Sequence, residues 1–138
     1  MKYLKQYRNN LKNIIKQRGE SKRPYSVDLL IAKFDTTRQR FFRTCPSGNF
    51  YEYNCVAIGS RCQAATSFLE NNMDKLPNMS LNDLIKIALE ATKKAEDVQI
   101  NGSNLDVIVV GKDETTKLLS IEEIDNCLKE IDNKMDLS

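Results

Sequence analysis

The chain has 138 residues, of which 41% are hydrophobic and 29% charged, the composition of one soluble globular domain of ordinary size. No apolar run reaches ~18 residues and no signal-peptide core follows Met1, so membrane insertion and secretion are not expected and a reducing, intracellular home is. The net charge of +2 is unevenly spread: residues 1–23 hold eight Lys/Arg against Glu20, so they carry +7 and the remainder −5.

In chain order, Tyr3, Leu4, Tyr7, Leu11, Ile14 and Ile15 fall at helical spacing with basic residues between them, which predicts a basic amphipathic segment over 1–22. Loop chemistry from Gly19 to Pro24 places a boundary there, and residues 23–138 are expected to form the folded domain. Three strands follow, Tyr25 to Phe34, Gln39 to Thr44 and Phe50 to Ile58, most simply as an antiparallel meander. Leu29-Leu30-Ile31-Ala32 does not alternate, which predicts a strand covered on both faces. Pro46-Ser47-Gly48-Asn49 supplies the fixed φ and the left-handed position of a tight turn between the second and third strands.

Gly59 ends the strands. Ser60 with Gln63 has the spacing of a capping box, in which each side chain satisfies the other's backbone N–H, and predicts a helix to about Met73. Pro77 marks a break, and Ser80 with Asp83 caps the next helix. Leu81, Leu84, Ile85, Ala88, Leu89 and Thr92 then form one stripe, opposite Asn82, Lys86, Glu90 and Lys93, as expected of a helix laid on a sheet. Leu105 to Val110 and Thr115 to Leu119 read as a hairpin around Gly111-Lys112-Asp113-Glu114. A third capping box, Ser120 with Glu123, opens a last helix whose stripe is Ile121, Ile124, Leu128 and Ile131. The order βββ-αα-ββ-α makes an α+β layered domain, with no repeat and no further biased tract.

Catalytic chemistry finds little support. Without histidine the commonest base for a serine or cysteine nucleophile is missing. An N-terminal nucleophile can use its own α-amino group, which draws attention to Gly59-Ser60. The capping role explains Ser60, and cleavage there would separate the strands from the helices. Glu122-Glu123, and Asp28 with Asp35, read as solvated carboxylates rather than acid/base pairs. Gly111-Lys112 lacks the flanking residues of a phosphate loop. Cys45, Cys55, Cys62 and Cys127 have no metal-ligand spacing and are expected to be free thiols. No catalytic, cofactor-binding or metal residue is assigned, and no cofactor is expected. Lys2, Lys5, Arg8, Lys12 and Lys16 beside Tyr3 and Tyr7 could engage phosphates and bases, but a solvated amphipathic helix is the preferred reading.

Several stretches in register carry a resemblance to a known family. Arg23-Pro24-Tyr25-Ser26-Val27-Asp28-Leu29-Leu30-Ile31-Ala32 resembles the opening strand of the proteasome α-type subunits, with Ser26 in place of a glycine. Thr44-Cys45-Pro46-Ser47-Gly48-Asn49-Phe50-Tyr51 is similar to the family's hairpin, and Ala57-Ile58-Gly59-Ser60-Arg61-Cys62-Gln63-Ala64-Ala65 to its helix start, with Cys62 in place of serine. Phe68-Leu69-Glu70, Ser80-Leu81-Asn82-Asp83 and Val109-Val110-Gly111-Lys112-Asp113 continue in order. Cys45 and Val110 to Asp113 look most like the alpha type-1 group.

The resemblance runs from about Arg23 to Ile131 and corresponds to the C-terminal half of such a subunit; the gating tail and first strands and helices of the family are not identifiable. It implies an N-terminal-nucleophile hydrolase-type α/β/β/α sandwich, here incomplete, and a non-catalytic structural subunit of the 20S proteasome α ring. Such a subunit supports assembly and gated access for ubiquitin-dependent protein degradation in cytoplasm and nucleus. The implied partners are other α subunits in a seven-membered ring, β-ring subunits and regulatory particles, with no membrane and no nucleic acid. The alternative is a free-standing adaptor whose basic arm binds RNA or acidic partners.

Overall fold

A computed structural model describes residues 27–34, 37–111 and 116–137. The expectations for the basic segment 1–22, the boundary after it, Asp35 and the turn residues Lys112 to Glu114 lie outside the described residues. The chain divides into two compact units, one ending at Asn54 and the other beginning at Cys55.

In the first unit, β1 (Leu29–Phe34), β2 (Gln39–Thr44) and β3 (Phe50–Glu52) form the expected antiparallel meander in the order β1-β2-β3. The tight turn forms as its chemistry predicts. Gly48 sits at φ 80° and donates its N–H to the Cys45 carbonyl at 2.9 Å, while Cys45 donates to Asn49 O at 2.8 Å. The third strand stops well short of Ile58. Tyr53 N still bonds Phe41 O at 2.8 Å, after which the chain bends at Asn54 and Cys55 and leaves the sheet.

Alternation in β2 gives the sheet its cross-strand ties. Arg40 grips Glu52 through two hydrogen bonds of 3.1 and 3.0 Å and lies over the Phe42 ring, 5.4 Å from its centroid. Phe42 and Phe50 meet edge to face at 6.1 Å. Arg43 donates to Asp28 at 2.9 and 2.5 Å.

The second unit contains α1 (Cys62–Asn71), a 3-10 turn (Met73–Asn78), α2 (Leu81–Ala95), β4 (Ile108–Val110), β5 (Thr116–Leu118) and α3 (Ile121–Asp136). β4 and β5 pair antiparallel, and Leu119 N bonding Val107 O at 2.9 Å extends the pairing by one step. Leu89, Leu119, Ile124, Cys127, Leu128 and Ile131 form one buried core, against which Ile85, Ile100, Leu105, Val107 and Val109 pack. The unit is tied at a second point: Gly102 N donates to Asp125 Oδ1 at 2.7 Å. A Cβ at residue 102 would fall 2.5 Å from the Ile121 carbonyl oxygen, so that crossing admits only glycine.

Two helix starts behave as the sequence predicts and one does not. At α3 the capping box is complete: Glu123 N donates to Ser120 Oγ at 3.2 Å, and Ser120 N donates to the Glu123 carboxylate at 2.8 Å. At α2 the Ser80 hydroxyl accepts from Asp83 N and donates to Asp83 Oδ2 at 2.8 Å. The capping box expected at Ser60 is absent. The N-cap of α1 is Arg61, at φ 55°, with no side-chain bond to the helix. Gly59 at φ 106° and Arg61 turn the chain so that the helix begins one residue later than the Ser60–Gln63 spacing implies.

The stripe on α2 is also narrower than expected. Leu89 and Ile85 enter the core, whereas Leu81, Leu84 and Ala88 are exposed. α2 packs between helices, against α1 and α3, so its buried arc is set by two flanks. Ala91, outside the predicted stripe, is buried for that reason. Lys86 and Lys93, on the predicted polar side, reach across to Glu130 and Asp132 of α3.

Candidate assembly surface

The strand register sorts side chains onto two faces. Leu29, Ile31 and Lys33 lie opposite Thr44, Phe42 and Arg40, while Leu30, Ala32 and Phe34 lie opposite Arg43, Phe41 and Gln39. Tyr51 joins the second set across from Arg43. Phe42 and Thr44 are buried on the first face. The second face is open: Leu30 is 39% exposed and Tyr51 54%. Leu29, at the end of the first face, is 38% exposed, and Val27 before it is exposed as well.

Among the described residues the double cover expected for Leu29 to Ala32 is not seen. The run carries apolar surface toward both sides, and the described residues do not cover it. Among the described residues β1 pairs only with β2, and no described strand pairs with its other side. An unpaired edge beside exposed leucines is a template for another chain.

The second unit also exposes apolar strand residues. Ile108 and Leu118 stand directly opposite each other in β4 and β5, and they are 62% and 60% exposed. Their neighbours Val109 and Lys117 share the other face, where Val109 packs on the core. Leu81, Leu84 and Ile121 are exposed at the starts of α2 and α3.

Charged groups around these surfaces are mostly paired. Hydrogen bonding to Arg40 holds the Glu52 carboxyl below its usual range. Hydrogen bonds from Lys117, at 2.6 Å, and from the Ser120 backbone do the same for Glu123. The Glu130 carboxylate raises the Lys86 ammonium, and the Asp28 carboxylate raises the Arg43 guanidinium.

Of the carboxylates singled out in the sequence, Asp28, Glu122 and Glu123 lie among the described residues and have separate roles. Asp28 is tied to Arg43, Glu123 serves the α3 cap and Lys117, and Glu122 is exposed. Ser60 lies on an exposed turn. Cys45, Cys55, Cys62 and Cys127 are free thiols. Burial pushes the Cys55 thiol up, which suppresses its nucleophilic thiolate. Among the described residues no cluster of metal-ligating side chains occurs, and no helix is long and apolar enough to cross a membrane.

Sequence reasoning missed the cross-strand pairs Arg40–Glu52 and Arg43–Asp28. Arg40 and Arg43, three residues apart in β2 and therefore on opposite faces, are the signal that points to them, once the register is known. It also missed the α2–α3 ion pairs, for which no local signal exists because their partners are 39 and 44 residues apart.

These features define an α+β protein whose described residues present apolar strand surface and leave one side of β1 without a described partner strand. The family model described as proteasome subunit matches residues 5–110. The chain is 37% identical over 107 residues to the proteasome subunit alpha type-1 of Dictyostelium discoideum, a match covering 75% of this chain and 42% of that protein. Against the alpha type-1 subunit of Trypanosoma brucei rhodesiense it is 36% identical over 104 residues, 74% of this chain and 39% of the relative. The proteasome subunit alpha type-2 of Oryza sativa subsp. indica is 31% identical over 110 residues, 80% of this chain and 46% of the relative. The chain belongs to the proteasome subunit family. It spans less than half the length of these curated relatives.

Proposed function

We propose that this chain acts as a non-catalytic structural subunit of the proteasome α ring. In this reading it supports assembly and gated access for ubiquitin-dependent protein degradation in cytoplasm and nucleus. Its partners are neighbouring α subunits in the seven-membered ring, β-ring subunits and regulatory particles. The meander and the β4–β5 hairpin belong to different sheets of an N-terminal-nucleophile hydrolase-type sandwich. The names of the relatives, all alpha-type subunits, support the ring position.

The observation that carries the reading is the exposed apolar surface of β1, Leu29 and Leu30, beside an edge that no described strand pairs with. Apolar strand surface is stabilising only when something removes it from water, at roughly 25 cal/mol per Å². In an assembly subunit that cover comes from another chain. The test is co-expression of the tagged full chain with the other α-type subunits, followed by capture and size analysis. The chain is expected in a ring-sized particle that survives raised salt, since the contacts are apolar. Recovery of the chain alone under all salt conditions would overturn the reading.

A further inference from the structure

We draw no further inference here: the strongest candidate, the groove of about 420 Å³ between α2 and α3 lined by Lys75, Asp83, Lys86, Glu90, Glu130 and Lys134, balances its lysines against its carboxylates, and nothing in the structure shows what covers it.

Discussion

The two units spend their apolar residues differently. Residues 55–137 close a core of their own, in which Leu89, Ile124 and Ile131 are almost wholly removed from water. The described part of the first unit, 27–54, buries Phe42 but leaves Leu29, Leu30 and Tyr51 exposed. Both stretches are rich in apolar residues, so composition does not distinguish them. The difference lies in what their elements have to pack against. Two amphipathic helices and a hairpin supply each other's cover, whereas a three-stranded sheet has two faces and two edges to satisfy. Residues that build a core in one place thus stay exposed in the other.

The most forceful way to break this comparison is to damage the closed core. Ile131→Ala is expected to destabilise the second unit by about 2–5 kcal/mol, the usual cost of emptying a buried isoleucine site. Leu30→Ala in the sheet should cost far less, because that side chain is already partly in water. Thermal unfolding of the two variants measures the contrast, and equal losses would mean that the first unit is packed as tightly as the second.

A somewhat smaller effect is expected at Gly102. Valine there must push against the backbone of Ile121, and we expect a loss of roughly 1–3 kcal/mol, in the range of other overpacked sites. Hydrogen exchange at the Gly102 amide should rise in the same variant as the bond to Asp125 opens.

Smaller still is the cap of α3. Ser120→Ala removes the hydroxyl that accepts from Glu123 N and should cost about 1 kcal/mol. The same cap gives the second unit a pH dependence of known sign. The Glu123 carboxyl is depressed in the folded state by Lys117 and the Ser120 backbone. Its contribution is therefore present above the unfolded carboxylate range and is lost as pH falls through the folded value. Glu123→Gln should flatten that acid limb of a stability-versus-pH curve; an unchanged limb would contradict the assignment.

Much of this architecture is legible in the sequence, and where legibility fails the reason is physical. β2 and the Pro46–Asn49 turn are recognisable because their chemistry is local: aromatic and β-branched side chains bounded by a turn cluster, and a glycine where φ must be positive. The Ser120–Glu123 box is local in the same sense. The Ser60–Gln63 box shares that spacing and fails, because spacing does not report the backbone turn made by Gly59 and Arg61. The α2 stripe identifies an apolar face but not how wide an arc is covered, which depends on α1 and α3 arriving from elsewhere in the chain. For Leu29 to Ala32 the sequence signals a demand for cover. Whether the same chain meets that demand is a tertiary fact, and here the described residues do not.

The central claim is that the β1 surface is built to be covered by another chain, and the state of association of the full chain tests it most directly. Sedimentation velocity of the purified chain at micromolar concentration should show species larger than a 15.8 kDa monomer. A variant carrying Leu29→Lys and Leu30→Lys should shift toward monomer with little loss of fold, since surface substitutions usually change stability by only about 0.5 kcal/mol. A cooperatively unfolding monomer in the unmodified chain, unaffected by those lysines, would contradict the account and would mean that the exposed leucines serve no interface.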